Sequence, residues 1–181
     1  MVSDNAPRNS GIRGVRHRLL GPRAGEPARP EPVRPAPAAI ALTNVSVKPL
    51  PRRVLFLCIG NSCRSQMAEA FAMKYGADAI IARSAGLAPA VIIAPLTHQI
   101  LAERNIQLTG HFPKMLDMTN RDANDLLINI SGESVSLRGA QVIDWDVDDP
   151  IGLDEEFFRK VADQIENLVM RLILDIRNGS L

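Results

Sequence analysis

The chain of 181 residues has the length of one domain with an appendage, and 46% of its residues are hydrophobic, which is enough for a core. Its formal net charge of +1 is unevenly divided, because residues 1–50 carry eight basic and three acidic side chains and residues 51–181 carry thirteen and seventeen. The mildly acidic body argues against a nucleic-acid-binding domain, which usually has a basic face. No apolar run approaches the roughly 18 residues of a membrane span, so we expect no membrane segment.

Residues 1–50 differ in amino-acid composition from the rest of the chain. They hold eight of the 13 prolines, and proline removes backbone donors and blocks helices. We therefore predict a disordered tail rich in proline and arginine over residues 1–50, and a folded domain over residues 51–181. An organelle transit peptide and a start site assigned too far upstream are the alternatives.

The hydrophobic pattern after residue 51 alternates between strands and helices. Strands are predicted at residues 53–58, 78–84, 125–131 and 140–147, and helices at 64–76, 95–104 and 154–177. The inward stripe of the first helix is predicted at Met67, Phe71 and Tyr75. That of the last is predicted at Phe157, Val161, Ile165, Leu168, Leu172 and Ile176. This order predicts an α/β fold, a Rossmann-like three-layer arrangement in which helices flank a four-stranded parallel sheet. Ligands of such folds bind at the carboxyl ends of strands.

The first predicted strand ends at Cys58, and the segment "CIGNSCR" leads from it into a helix. Backbone N–H groups of such a loop can converge on an anion, and the helix N-terminus adds positive potential. Gly60 and Asn61 tolerate positive φ, and the planar guanidinium of Arg64 suits two oxyanion oxygens. The predicted cradle for a tetrahedral oxyanion consists of Ile59, Gly60, Asn61, Ser62, Cys63, Arg64 and Ser65.

The same positive groups favour the thiolate form of Cys58, and a thiolate beneath an oxyanion can attack phosphorus or arsenic. The loop is not a Walker A motif, because the lysine is missing. No metal and no cofactor are expected, since Arg64 and the loop amides supply the positive field. A buried cysteine at an ordinary turn, with Arg64 on the surface, is the alternative.

A leaving alkoxide needs a general acid, and the segment "WDVDDP" offers one. Asp149 precedes Pro150, and a residue before proline is held extended, which suits a loop that projects a carboxylate over the sheet edge. Asp144, Asp146 and Asp148 compete for the role. The alternative is a solvated acidic loop without a catalytic function.

The only two cysteines, Cys58 and Cys63, lie five residues apart. They offer neither a disulfide framework nor the four ligands of a structural zinc site, so a reducing, cytoplasmic setting is the simplest interpretation.

The motifs "CIGNSCRS", "SAG", "LTGH" and "DDP" together resemble the low-molecular-weight protein tyrosine phosphatases and their arsenate reductase relatives. The resemblance implies that Cys58 is the nucleophile, that Arg64 binds the oxyanion and stabilises the transition state, and that Asp149 is the general acid. It implies that Ser65 hydrogen-bonds the thiolate, and that Ser84 and His111 brace a strained Asn61. It also implies that Cys63 can trap oxidised Cys58 as a reversible disulfide.

Two departures from the family pattern bear on the substrate. Ile151 and Gly152 follow Asp149-Pro150, where the tyrosine phosphatases usually carry aromatic residues that wall the phosphotyrosine slot. The run Gln-Met-Ala-Glu after the loop is closer to the arsenate reductases. Thioredoxin-coupled reductases, however, use two further cysteines downstream, and this chain has Ser131 where the first is expected and no second.

The function favoured by the sequence is hydrolysis of a phosphomonoester, with a phosphorylated protein as the expected substrate, through a Cys58 thiophosphate. The first alternative is reduction of arsenate by an external thiol, such as glutathione or mycothiol with a glutaredoxin-like partner. The second is a non-catalytic binder of oxyanions or phosphoproteins. No nucleic-acid partner is expected.

Overall fold

The computed structural model describes residues 50–116, 126–137 and 139–181, so the predicted tail over residues 1–50 lies outside it except for Leu50. The elements, in chain order, are β1 (Arg52–Cys58), α1 (Arg64–Gly76), β2 (Ile80–Gly86), α2 (Pro95–Glu103), β3 (Leu126–Asn129), β4 (Gln141–Asp144) and α3 (Glu155–Arg177). Each predicted strand and helix is present. The largest difference is at β4, which ends three residues before the predicted end. None of the helices within these ranges is both long and apolar enough to cross a membrane.

The strands form one parallel sheet in the order β2-β1-β3-β4, which confirms the predicted α/β class. The central strands β1 and β3 are the most apolar, as expected for strands covered on both faces. Cys58 is the last residue of β1 and is paired in register with Gly86, the last residue of β2. Cys58 therefore lies at the carboxyl edge of the sheet, beside the point between β1 and β3 where the strand order reverses.

One face of the sheet carries the main core. Val54, Phe56, Leu126 and Ile128 point to this face and pack against the buried sides of all three helices. The opposite face has a smaller cluster around Leu57, Ala85, Leu127 and Leu137. Residues 117–125, which connect Leu116 to β3, lie outside the described part of the chain.

The predicted apolar stripe of α1 describes only part of that helix. Met67 and Phe71 are fully buried, but every residue of α1 from Arg64 to Ala72 is buried as well. Neither of the polar residues Gln66 and Glu69 lies on a solvent face: Gln66 contacts the loop after β1, and Glu69 contacts Ser84 of β2. Tyr75 is only partly buried, and its hydroxyl donates to Glu166 Oε1 of α3 at 2.5 Å.

The buried face of α3 is rotated slightly from the predicted one. Val161, Ile165 and Leu172 are buried as predicted, whereas Phe157, Leu168 and Ile176 are only partly buried. Their neighbours in the helix complete the buried face: Phe158, Ala162, Val169 and Ile173. The reason is that α3 packs between α1 and α2, so its apolar face is wider than a single stripe.

We predict that the N-terminus of α3 depends on its capping residue. The Asp154 carboxylate accepts a hydrogen bond from the Phe157 N–H at 2.8 Å, which satisfies one of the free donors of the first turn. Asp154→Ala should lower the free energy of unfolding by about 1 kcal/mol, measured by urea denaturation. Asp154→Asn keeps an oxygen acceptor and should lose clearly less; equal losses for the two variants would contradict the capping role.

Candidate active site

The loop between β1 and α1 is held by the segment that follows β2. The carbonyls of Cys58, Ile59, Gly60 and Ser62 accept hydrogen bonds from the N–H groups of Leu87, Ala88, Ala90 and Ala94, at 2.8–3.0 Å. The C=O and N–H of one peptide group point in opposite directions. Carbonyls that point to residues 87–94 therefore turn their peptide N–H groups toward the inside of the loop, where an anion can bind.

Gly86 lets the two segments approach each other. A Cβ atom at this position would lie 2.6 Å from the carbonyl oxygen of Ile59 and 3.0 Å from the backbone nitrogen of Asn61. Since both atoms belong to the backbone of the loop, no side-chain rotation could relieve the overlap. The "SAG" motif at the end of β2 thus contributes both a close approach and, through Ser84, a side chain to the site.

Asn61 has a positive φ of 45°, one of only two positive φ values at non-glycine positions in the described ranges. Asparagine tolerates this left-handed conformation better than most residues. Its side-chain amide donates to Ser65 Oγ and to Ser84 Oγ, both at 2.9 Å. Its Oδ1 atom accepts from Gln66 Nε2 at 3.2 Å and from the Lys114 N–H at 2.9 Å. The side chain is thereby fully hydrogen-bonded, and the predicted strain and the Ser84 contact are both present.

The sulfur of Cys58 has two neighbours that can donate hydrogen bonds. Ser65 Oγ lies 2.9 Å from Cys58 Sγ, and the Asn61 N–H donates to the same sulfur at 3.2 Å. Because Ser65 Oγ already accepts from the Asn61 amide, its own hydrogen is free to point at the sulfur. Both groups hold the sulfur in a fixed position beneath the loop.

Arg64 is almost fully buried and reaches across to the loop after β4. Its Nη2 atom lies 2.6 Å from Asp149 Oδ2, and its Nη1 atom donates to the Val147 carbonyl at 3.1 Å. The other oxygen of Asp149 accepts from the Ile151 N–H at 3.2 Å. An oxyanion in the cradle would compete with Asp149 for Nη2, so the structure links the oxyanion-binding group to the predicted acid.

The competing aspartates lie elsewhere. Asp144 accepts a hydrogen bond from Asn129 Nδ2 at 2.7 Å, and Asp146 and Asp148 are exposed. Among the acidic residues of this segment, Asp149 is therefore the one in contact with Arg64.

The structure does not bring His111, predicted to brace Asn61, into contact with that residue. His111 Nδ1 lies 3.1 Å from the Thr109 carbonyl, and His111 Nε2 is buried without a hydrogen-bond partner. The positions next to Asn61 Oδ1 are taken by Gln66 and by the backbone N–H of Lys114. The chain turns between residues 109 and 114, so Lys114 rather than His111 is the residue that reaches the loop.

Sequence reasoning also missed Gln66, Glu69 and Lys114. Gln66 Nε2 donates to the Asn61 carbonyl and to the Phe112 carbonyl, both at 3.1 Å, in addition to Asn61 Oδ1. Glu69 Oε2 accepts from Ser84 Oγ at 2.5 Å and lies 3.7 Å from Lys114 Nζ. The available signal was two polar residues within the buried half of α1, which a purely amphipathic helix would not place there.

These features can be compared with known proteins. The family model described as "Low molecular weight phosphotyrosine protein phosphatase" matches residues 53–180. The chain belongs to this family. A glutaredoxin arsenate reductase of Synechocystis sp. is 35% identical over an alignment of 130 residues, and the match covers 69% of this chain and 98% of that protein.

Two solved structures show the same fold. An arsenate reductase in the phosphate binding state has a TM-score of 0.62 at 34% identity, over 69% of this chain and 98% of its own. A low molecular weight protein tyrosine phosphatase from T. tengcongensis has a TM-score of 0.58 at 27% identity, over 68% and 99%. The family therefore contains neighbours of both kinds, as the sequence motifs indicated.

Within this family member, the second cysteine lies in the core. Cys63 is 2% exposed and belongs to the main hydrophobic cluster. Burial raises the pKa of the Cys63 thiol above its ordinary value, and Cys58 and Asp149 add to this effect, while Thr97 and Arg64 oppose it. A protonated, buried thiol is a poor nucleophile, so the structure gives little support to Cys63 as a rapid trap for oxidised Cys58.

Ser131 follows β3 and is buried in a local turn. Its hydroxyl donates to Asn129 Oδ1 at 2.6 Å and accepts from the Glu133 N–H at 3.1 Å. The serine at this position thus closes a polar turn, and it cannot take part in a disulfide.

We predict that iodoacetamide modifies Cys58 and leaves Cys63 untouched in the folded protein near neutral pH. Both sulfurs are in buried residues, but the raised pKa of the Cys63 thiol and its packing in the main core should make it at least about tenfold slower to react than Cys58. Mass spectrometry should show one adduct on the wild type, none on Cys58→Ser, and two on the wild type in denaturant. Phosphate should slow the modification of Cys58. Comparable rates at the two cysteines would contradict the raised pKa of the Cys63 thiol.

We also predict that Gln66 positions the cradle through Asn61. Gln66→Met keeps the side-chain volume but removes the donor to three oxygens, and phosphate binding should weaken by about tenfold through loss of the loop geometry. Isothermal titration calorimetry with phosphate measures this, together with the rate of Cys58 alkylation. Gln107→Met, at an exposed position, is the matched control. A Gln66→Met variant with lower thermal stability but unchanged phosphate affinity would show a merely structural role.

Proposed function

We propose that the chain is an arsenate reductase in which Cys58 attacks the oxyanion and an external thiol regenerates the enzyme. The observation that carries the proposal is Cys58 Sγ beneath the loop amides with Ser65 Oγ at 2.9 Å, next to Arg64, in a chain similar to a glutaredoxin arsenate reductase. An arsenate ion is a tetrahedral oxyanion of the kind that the cradle suits. Further relatives from Bacillus cereus also carry the name arsenate reductase, for example at 32% identity.

The first step forms a bond between the Cys58 sulfur and arsenic. The Cys58 thiolate attacks arsenic(V), and a hydroxide leaves as water after it gains a proton, with Asp149 as the nearest acid to Arg64. The product is a Cys58 sulfur–arsenic(V) adduct, whose oxygens face Arg64 and the loop N–H groups. No electron has yet been transferred.

The reduction needs two thiols from outside the chain. The first thiol attacks Cys58 Sγ, the electron pair of the sulfur–arsenic bond goes to arsenic, and arsenite leaves from a mixed disulfide. The second thiol attacks the external sulfur of that disulfide. This step returns Cys58 as thiolate and leaves a disulfide between the two external sulfurs. Cys63 is buried with a raised pKa and Ser131 has no thiol, so neither supplies these electrons readily. Glutathione or mycothiol with a glutaredoxin-like protein fits this requirement, in a reducing compartment such as the cytoplasm.

Phosphomonoester hydrolysis is the second candidate, and it was the function favoured by the sequence. Arg64, Asp149 and the cradle serve phosphoryl transfer as well as they serve arsenate, and the family includes a structural neighbour named as a tyrosine phosphatase. The names of the relatives support arsenate reduction more strongly. Exposed Ile151, with Gly152 beside it, offers no ring against which a phosphotyrosine could stack.

One pair of assays separates the candidates. Purified wild type should reduce arsenate with glutathione or mycothiol and a glutaredoxin-type protein, and Cys58→Ser should lose this activity by at least about a thousandfold. Cys63→Ser should keep most of it, because the external thiol acts on Cys58. Aryl phosphate hydrolysis by wild type should be slow.

The outcomes have distinct meanings. Fast aryl phosphate hydrolysis that falls in Asp149→Asn, without thiol-dependent arsenate reduction, would replace the reductase with the phosphatase. Loss of arsenate reduction in Cys63→Ser would assign the resolving role to Cys63. Equal behaviour of wild type and Cys58→Ser in both assays would leave a non-catalytic oxyanion binder.

A further inference from the structure

A cavity lies behind the catalytic loop, apart from the oxyanion cradle. It has a volume of about 540 Å³ and lies between α1, β2 and residues 109–114. A second cavity of about 270 Å³ continues it toward residues 105–108 and shares Met73 and His111 with it. None of the cradle residues from Cys58 to Ser65 lines either cavity, so this is a separate site with a volume typical of small-molecule pockets.

Part of the cavity wall is apolar and exposed. Met73, Ile81 and Phe112 are 51%, 48% and 61% exposed, and all three line the larger cavity. Three large apolar side chains around one concave surface favour a ligand with an apolar body.

The charged groups of the cavity favour an anion. Lys114 and Arg83 contribute two positive charges, against one negative charge from Glu69. Glu69 is already engaged, because it accepts a hydrogen bond from Ser84 and lies 3.7 Å from Lys114 Nζ. Lys114 Nζ is also 5.5 Å from the centre of the Phe112 ring, so it stands at the border between the charged and apolar parts. A carboxylate between Lys114 and Arg83 would balance the excess positive charge.

His111 adds a specific polar partner. Its Nδ1 atom faces the Thr109 carbonyl, which can only accept, so Nδ1 carries a hydrogen and Nε2 of the neutral ring is an acceptor. Nε2 is buried without a partner and the ring lines both cavities. An unsatisfied buried acceptor costs free energy that a ligand hydroxyl can recover by donating to it.

We propose that this cavity binds a small hydroxylated organic carboxylate with an aromatic or branched aliphatic body, and that the bound ligand slows the reaction of Cys58. The carboxylate lies against Lys114 and Arg83, the apolar body packs on Met73, Ile81 and Phe112, and the hydroxyl donates to His111 Nε2. The proposal concerns a second site and does not depend on which oxyanion Cys58 attacks.

The coupling to Cys58 follows an unbroken series of hydrogen bonds. Glu69, which faces Lys114, accepts from Ser84 at 2.5 Å, and the Asn61 amide donates to Ser84 and to Ser65, both at 2.9 Å. Ser65 in turn lies 2.9 Å from Cys58 Sγ. A ligand carboxylate draws the Lys114 ammonium from Glu69 and adds negative charge behind the loop, and both effects make the electrostatic potential at the cradle more negative. Bound ligand should therefore also weaken phosphate binding, and phosphate should weaken ligand binding by the same factor.

The test uses the full-length protein and 4-hydroxyphenylacetate as the probe. Isothermal titration calorimetry measures its binding, and the rate of Cys58 alkylation by iodoacetamide measures its effect. Two analogues test the chemistry: 4-hydroxyphenylacetamide lacks the charge, and phenylacetate lacks the hydroxyl. We expect each to bind at least about fivefold more weakly than the probe. Saturating probe should slow alkylation of Cys58 by about fivefold.

Variants locate the site. Met73→Trp fills the cavity at the wall shared by both parts and should weaken probe binding by at least about tenfold. Met170→Trp, at a similarly exposed methionine of α3 outside both cavities, is the matched control and should bind the probe like wild type. Arg83→Gln and His111→Phe should each weaken binding of the probe, and His111→Phe should remove its preference over phenylacetate.

Phosphate separates this site from the cradle. The proposed coupling predicts that phosphate weakens probe binding by about fivefold and then no further, because both ligands can be bound together. If the apparent dissociation constant of the probe instead keeps rising in proportion to the phosphate concentration, the two ligands compete and the probe binds in the cradle. That result, absence of binding to wild type at millimolar probe, or equal binding by wild type and Met73→Trp would overturn the proposal.

Discussion

The left-handed conformation of Asn61 is the constraint on which the site depends. With φ at 45°, this residue turns its own N–H toward Cys58 Sγ and turns the loop from the strand into α1. A non-glycine residue in this region is strained by roughly 1–2 kcal/mol, less for asparagine, unless its surroundings hold it. Here Ser65, Ser84, Gln66 and Lys114 take every hydrogen-bonding position of the side chain.

The bracing comes from three separate parts of the chain. Gln66 and Glu69 belong to α1, Ser84 belongs to β2, and Lys114 belongs to the segment that pairs with Gly86 after β2. A buried carboxylate such as Glu69 is costly unless it is hydrogen-bonded and has a counter-charge, and Ser84 and Lys114 supply these. The polar groups behind the loop therefore form one connected network, which runs from Lys114 to Cys58.

The two cysteines show how position in the fold changes the chemistry of one residue type. Cys58 ends a strand beneath inward-facing N–H groups, and its sulfur has the Asn61 N–H and the Ser65 hydroxyl as hydrogen-bonding neighbours. Cys63 stands five residues later at the start of α1, where its side chain packs in the core against α2 and burial raises its pKa. This difference, together with the polar turn around Ser131, directs the proposed reduction to thiols outside the chain.

The sequence by itself determined the order of strands and helices, the parallel sheet, the family, and the loop from Cys58 to Ser65. Most of these features rest on local patterns: strand and helix periods and the short spacing between Cys58 and Arg64 act over a few residues. The tertiary structure alone decided which residues brace Asn61, which face of α3 is buried and which aspartate meets Arg64. His111 does not contact Asn61, because the turn between residues 109 and 114 brings the backbone N–H of Lys114 to it instead. The contacts of Asn61 with Ser84 and Lys114, and of Arg64 with Asp149, join residues far apart in the chain, so they depend on how the elements pack rather than on any local pattern.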